Sequence, residues 1–410
     1  MKYTYVFLLI IFSVNFSYGQ DLVWLSMNSS YVEDVFFDAE TQAITNSNQE
    51  WDIAFTVKPM DASIRINDGR GVKLYIYSDN LLDWDSVDLS NFIPNEFLYN
   101  SFNSWSGAFN AISNSSDVFD YGWGAYNIVT HDVNGNKIFI IETLQGSVKK
   151  IRIDKLAGLD QQFIFTYANI DGSNEVVDTI NQFNYNTKSF VYYNLDQEAV
   201  YDFEPNINEW DLMFTKYMAK IFNLAINDTV YYSVSGVLHN PSAQSMKISG
   251  VDIPNVDYSD YLFSDNISTI GYDWKVFNNS SFSYSVVDSL ICFISTEEGS
   301  VFSIVFDAFE GSSTGNIWFY LDNLTENIGL DDEKKENTIT IYPNPVRNRL
   351  NFIGVNNANV FLYDLKGVLV DQLLLDNSNM IELNDLKKGF YLINIQNQFI
   401  NEYHQIMVVK

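Results

Sequence analysis

Three blocks of sequence recur in the same order at nearly constant spacing, and this repeat limits the folds open to the chain. Val35-Phe36-Phe37-Asp38 with Trp51-Asp52-Ile53-Ala54-Phe55 is answered by Phe190-Val191-Tyr192-Tyr193 with Trp210-Asp211-Leu212-Met213-Phe214. Gly122-Trp123-Gly124-Ala125-Tyr126-Asn127 is answered by Gly271-Tyr272-Asp273-Trp274-Lys275-Val276-Phe277-Asn278. Ile138 to Val148 is answered by Ile291 to Val301, each ending in Gly-Ser-Val. The offsets, 159, 149 and 153 residues, differ only by loop-sized insertions. Such order implies two copies of one domain, joined near Val177–Phe183.

The repeated unit reads as sheet. Trp51, Ile53 and Phe55 alternate with Asp52 and Ala54, which places three large apolar side chains on one expected strand face. Gly146-Ser147 and Gly299-Ser300 sit between apolar runs as hairpin turns do. Period-2 patterning continues through Ile151, Ile153, Phe163 and Phe165, and through Ile304, Phe306, Ile317 and Phe319. No long 3.6-period segment with caps interrupts it. The expected fold is all-β, with two tandem antiparallel β-sandwich-like domains.

The two ends carry a different message. Ile341-Tyr342-Pro343-Asn344-Pro345, Leu350-Asn351-Phe352, Val360 to Gly367, Ile381-Glu382-Leu383 and Lys388 to Ile393 form a series of short strands between turn formers. This segment closely resembles the type A C-terminal sorting domain of the Bacteroidetes type IX secretion system, itself a small β-sandwich. The resemblance implies export guided by residues 339–410, with the secretion machinery as partner. At the other end, Lys2, the apolar run Val6–Phe12 and Ser17-Tyr18-Gly19 read as a signal peptide; the run is too short to span a bilayer. The expected organisation is a signal peptide (1–19), copy one (20–178), copy two (179–329), a charged linker (330–338) and the sorting domain (339–410). The expected location is the cell surface or the extracellular medium, with no transmembrane span.

Composition narrows the function. The formal charge is −29, and the tail from Glu336 nearly balances, so the acidity sits in the repeats. Such a field excludes nucleic acid, whose phosphates need clustered Lys and Arg. Cys292 is the only cysteine and lies in the apolar run Leu290 to Ile294, opposite Phe139 of the first copy. There is no disulfide framework, and a buried packing role is expected. No phosphate loop, nucleophile elbow or metal-spaced His and Cys set is present, and with three histidines general bases are scarce; no enzyme is expected.

The blocks Trp51 to Phe55, Ile64 to Gly69, Gly122-Trp123 with Tyr126-Asn127, Ile138 to Thr143 and Val148 to Ile153 also resemble the HmuY family of haem-scavenging proteins. The second copy is the more divergent. The resemblance implies an HmuY-type fold and a haem held by two axial side chains, histidine or methionine. His131 follows the Gly-Trp…Tyr-Asn block, the region that supplies the family's first ligand, and is the candidate axial residue. Trp123 and Tyr126 are candidate ligand-binding aromatics. Asp132 to Phe165 contains no His or Met, so the second ligand is unassigned. His239, His404, Met213, Met218 and Met246 are weaker candidates. The expected function is a secreted or surface-attached, non-enzymatic binding protein for haem or another tetrapyrrole. The alternative is an adhesin or a glycan- or protein-interaction module that has lost haem ligation.

Overall fold

The structure, a computed structural model, describes residues 21–325, except 49, 60, 94 and 95, and residues 339–409, except 345, 354, 356, 365–367, 376–378, 384, 385 and 398–400. The expected signal peptide and charged linker lie outside the described residues. The chain divides into two units, Met1–Ile328 and Gly329–Lys410. The protein is all-β. Among the described residues the helical segments are 3-10 turns, the longest being Leu81–Ser86.

Among the described residues the first unit contains two sets of eleven strands. The first set is β1 (Asp21–Ser26), β2 (Glu33–Phe37), β3 (Ile44–Asn48), β4 (Ile53–Thr56), β5 (Ile64–Ile66), β6 (Lys73–Ser78), β7 (Gly124–Tyr126), β8 (Val133–Gly135), β9 (Ile138–Glu142), β10 (Val148–Ala157) and β11 (Gln162–Asn169). The second is β12 (Val176–Asn181), β13 (Phe190–Asn194), β14 (Ala199–Tyr201), β15 (Leu212–Asn223), β16 (Asp228–His239), β17 (Gln244–Ser249), β18 (Lys275–Asn278), β19 (Ser283–Val286), β20 (Leu290–Ser295), β21 (Val301–Phe309) and β22 (Asn316–Asn323). A residue boundary at 178/179 falls inside β12.

The two sets pair alike, but each lends its first three strands to the other. One sheet runs β1-β22-β21-β20-β17; in its counterpart β12 pairs β11, β11 pairs β10, β10 pairs β9 and β9 pairs β6. Two further sheets run β14-β13-β4-β5 and β3-β2-β15-β16. Phe36 of β2 therefore lies opposite Met213 of β15, and Tyr192 of β13 lies opposite Ala54 of β4. The cause is local closure. A short turn joins β11 to β12, which makes their pairing the least costly closure and places β13 and β14 beside the first set. Strands β1 and β2 pair with β22 and β15 of the second set.

The cores follow the exchange. Ile53, Phe55, Phe139 and Phe163 share a core with Ile180, Val191, Tyr193 and Leu195. Val23, Leu25, Val35 and Phe37 share the other with Leu212, Phe214, Cys292 and Phe319. Cys292 is fully buried, and burial pushes its thiol up to about 12.

The two Trp-Asp motifs fasten the exchanged strands. Asp52 donates its amide to the Tyr193 carbonyl (2.9 Å) and accepts from the Leu195 amide (2.8 Å) and the Leu144 amide (2.7 Å). Asp211 repeats the first two contacts with Phe37 (2.8 Å) and the Ala39 amide (2.8 Å). This geometry corrects one expectation. Trp51 does not share a face with Ile53 and Phe55: the strand starts at Ile53, after the Asp52 clamp. Trp51 packs instead with Ala54, Phe190 and Tyr192 on the opposite face.

Gly146 and Gly299 occupy matching turns at φ 86° and 88°, each preceded by a Thr whose amide bonds the following Ser carbonyl. The second unit is a small sandwich of two sheets. One contains β23 (Thr340–Tyr342), β24 (Arg349–Ile353) and β27 (Met380–Glu382); the other contains β25 (Ala358–Asp364), β26 (Leu369–Leu375), β28 (Gly389–Gln396) and β29 (Asn401–Val408). Leu350, Phe352, Val360, Leu362, Ile393 and Ile406 fill its core.

Candidate functional site

Strands β7 and β8 form a hairpin in which Tyr126 lies opposite Val133. Its loop is built by Asn127, whose side chain accepts from the Val129 amide (2.9 Å) and whose carbonyl accepts from the His131 amide (2.8 Å). His131 takes a left-handed conformation, φ 63°, that brings its ring back toward the strand. The Tyr126 hydroxyl and His131 Nδ1 are then 2.8 Å apart. Phe119 lies nearly parallel to the Tyr126 ring, 9° between planes and 5.8 Å between centroids.

This pair lines a cleft of about 510 Å³, within the ~300–1,000 Å³ range of small-molecule sites. The remaining lining is Ala62, Val118, Phe119, Tyr121, Val133, Leu156, Gly158, Leu159 and Gln161. None of these residues carries a charge at neutral pH, although the chain contains 52 Asp and Glu. Val118 and Leu159 in this lining stand 81% exposed, an apolar rim on an acidic protein. Trp123 is not in the cleft. It is fully buried in the first core, and its indole N–H donates to the Ala62 carbonyl (2.9 Å), bracing that wall.

The other sequence candidates lie elsewhere. His239 ends β16, 2% exposed, with Nδ1 at 2.8 Å from the Asn240 carbonyl; burial lowers its pKa. Met213 and Met246 are buried, and His404 is in β29 of the second unit. Sequence reasoning missed Tyr121, Phe119, Leu156 and Leu159. They come from separate segments, and nothing in their local sequence distinguishes them from core or loop residues.

A second concentration of polar groups lies in the seam between the β4–β5–β13 sheet and the β2–β15–β16 sheet. Trp105 sits against Phe190 on one side and Trp210 on the other, and its indole N–H donates to the His239 carbonyl (3.2 Å). Gly69 is required here: a Cβ would lie 2.2 Å from the Lys216 carbonyl. Arg70, next in the same turn, crosses to Asp34 of β2 at 3.0 Å. Burial nonetheless holds the Asp34 carboxyl above its ordinary range. Glu204 is 2% exposed and accepts from the Ser189 amide (2.7 Å) and the Tyr192 hydroxyl (2.8 Å). Burial outweighs these bonds and raises its pKa to about 7, and it raises Asp68 to about 6. The seam joins the halves. It is closed to ligands, with a cavity of only about 40 Å³.

Fold and site together describe an all-β protein with a ligand-sized cleft that no Asp, Glu, Lys or Arg lines. Residues 340–410 match the family described as the secretion system C-terminal sorting domain. The tail therefore marks the chain for type IX export through the outer membrane, to the cell surface or the extracellular space. No HmuY-type family match accompanies it, and no curated protein matches the chain. Among solved structures, the extracellular domain of a hybrid two-component system from B. thetaiotaomicron is 11% identical, with 73% of this chain and 45% of that one covered, at a TM-score of 0.14. The extracellular domain of a one-component system from the same organism is 9% identical, with 72% and 44% covered, at the same TM-score. This chain spans less than half of each, and similarity at that level transfers neither fold nor function. No helix among the described residues is long and apolar enough to cross a membrane.

Proposed function

We propose that the protein is a non-enzymatic binding protein, exported by the type IX route, that takes a flat and largely apolar ring system into the Tyr126–His131 cleft. Haem or another tetrapyrrole is the ligand class. The observation that supports this reading most is the uncharged lining of the cleft around a hydrogen-bonded phenol–imidazole pair. Tetrapyrroles present large apolar faces, and ferric iron accepts imidazole nitrogen or phenolate oxygen. Tyr126 and His131 share one wall, so they offer one axial ligand between them: His131 through its ring nitrogen, or Tyr126 with His131 Nδ1 accepting the phenol proton. Among the described residues the cleft contains no second His or Met, which departs from the two-ligand arrangement that the HmuY resemblance implies. Titrating haemin into the exported protein and following the Soret band tests the reading. The expected result is a saturable shift that is lost in His131→Ala and altered in Tyr126→Phe. Absence of a shift, or a shift unchanged by both substitutions, removes the proposal.

A further inference from the structure

A second cleft, of about 390 Å³, opens where the turn after β5 crosses β15 and β16. One wall comes from each half of the repeat. Arg70, Lys73 and Lys216 line it together with Phe97, Tyr99 and Ser233. Three cations in one cleft are notable in a chain with 23 Lys and Arg against 52 Asp and Glu.

Two of the three charges are already answered. Arg70 pairs with Asp34 at 3.0 Å, and Lys73 pairs with Glu142 at 2.9 Å. Lys216 has no carboxylate within ion-pair distance among the described residues. It is half-buried, and burial and the Arg70 charge together push its pKa down. One lining acid, Asp68, accepts the Asn100 amide at 2.9 Å, and its charge is answered by the buried Arg65 guanidinium rather than by Lys216. The cleft thus carries about one uncompensated positive charge, held partly out of water, where an incoming anion is attracted more strongly than at an open surface.

The rest of the lining is suited to a ring. Phe97 is 37% exposed, and Tyr99 is held by face-to-face stacking on Tyr231, with centroids 3.9 Å apart. A fixed aromatic wall buries the C–H face of a sugar ring at little conformational cost. The opposite side is polar. The Ser233 hydroxyl donates to the Gly69 carbonyl (2.6 Å) and keeps its lone pairs for a ligand hydroxyl, while the space around Gly71 is open. Polyanions are disfavoured by the surrounding acidic field, but a single carboxylate matches the single unmatched ammonium.

We infer that this cleft binds a carboxylated sugar residue, a uronate or sialate, with Lys216 taking the carboxylate and the Phe97–Tyr99 wall taking the ring. It is a site distinct from the Tyr126–His131 cleft and does not depend on what that cleft holds.

Isothermal titration of the exported protein with glucuronate, galacturonate and N-acetylneuraminate tests the assignment, with glucose and acetate as neutral-ring and charge-only controls. At least one of the acidic sugars should bind at millimolar or tighter concentration, and at least tenfold more tightly than glucose or acetate. Lys216→Met keeps the stem and removes the charge; it should weaken that sugar about tenfold, as should Phe97→Ala at its exposed position. His131→Ala should leave it unchanged, which separates this site from the first cleft. Absence of binding by all three acidic sugars overturns the inference. So does acetate binding as tightly as they do, or affinity unmoved by Lys216→Met and Phe97→Ala.

Discussion

Replacing Glu204 with Gln should flatten part of the pH dependence of stability. Glu204 is buried in the seam, and its pKa stands near 7 against an ordinary 4.5. A difference of that size corresponds to about 3.5 kcal/mol at ~1.4 kcal/mol per pK unit. Its sign follows from the raised value. Below pH 4.5 the carboxyl is protonated in both folded and unfolded chains and contributes nothing. Between 4.5 and 7 the unfolded chain ionises while the folded one keeps its proton, so stability falls as pH rises. Above 7 the loss is complete and constant. Glu204→Gln cannot ionise in either state, and its stability should lack this component while keeping those of Asp68 and of Asp211, which burial likewise raises, to about 7. All eight tryptophans lie in the first unit, so their fluorescence reports that unit within the full chain. Measured by urea unfolding at pH 4.5 to 8, the wild-type and variant curves should diverge by about 3.5 kcal/mol, which for a unit of this size is roughly 5 °C in Tm. Parallel curves would refute the placement of an uncompensated carboxyl in the seam.

Further outcomes follow from the same geometry. Phe37→Ala removes a fully buried ring that meets Phe319 edge-on at 5.3 Å; it should cost about 3–5 kcal/mol and loosen hydrogen exchange in β20–β22 rather than in β9–β11. Cys292→Ser places a hydroxyl in an apolar core and should cost about 1–3 kcal/mol, and the wild-type thiol should react with Ellman's reagent only as fast as the protein unfolds. Removing residues 339–410 should leave the protein in the periplasm, as detected by fractionation, while the first unit keeps its tryptophan fluorescence.

The strands were legible in the sequence because period-2 patterning is set by burial on one face, as at Ile151, Ile153, Phe163 and Phe165. The partners of those strands were not. Similarity between Val35-Phe36-Phe37 and Phe190-Val191-Tyr192 marks equivalent strands, yet either can pair with either Trp-Asp strand. The choice is made by the short β11–β12 turn, a matter of chain closure that leaves no residue signature. Trp51 misled because alternation was read through Asp52, whose carboxylate interrupts the strand to hold the backbone of Leu195. Tyr126 and His131 could be named together because they flank a single turn, whereas the cleft they border is assembled from distant segments. The Lys216 cleft was invisible for a related reason. Its unpaired charge and its aromatic wall come from different copies, far apart in sequence.

The exchange itself is most directly tested by comparing two fragments by circular dichroism and urea unfolding. Residues 50–205 contain the complete first core, including Ile180, Val191, Tyr193 and Leu195. Residues 20–175 hold nearly all of the first copy in sequence, yet they lack those four and leave β1 without β22 and β2 without β15. The account predicts sigmoidal, cooperative unfolding for 50–205 and none for 20–175. A stable 20–175 fragment beside an unfolded 50–205 fragment would contradict it.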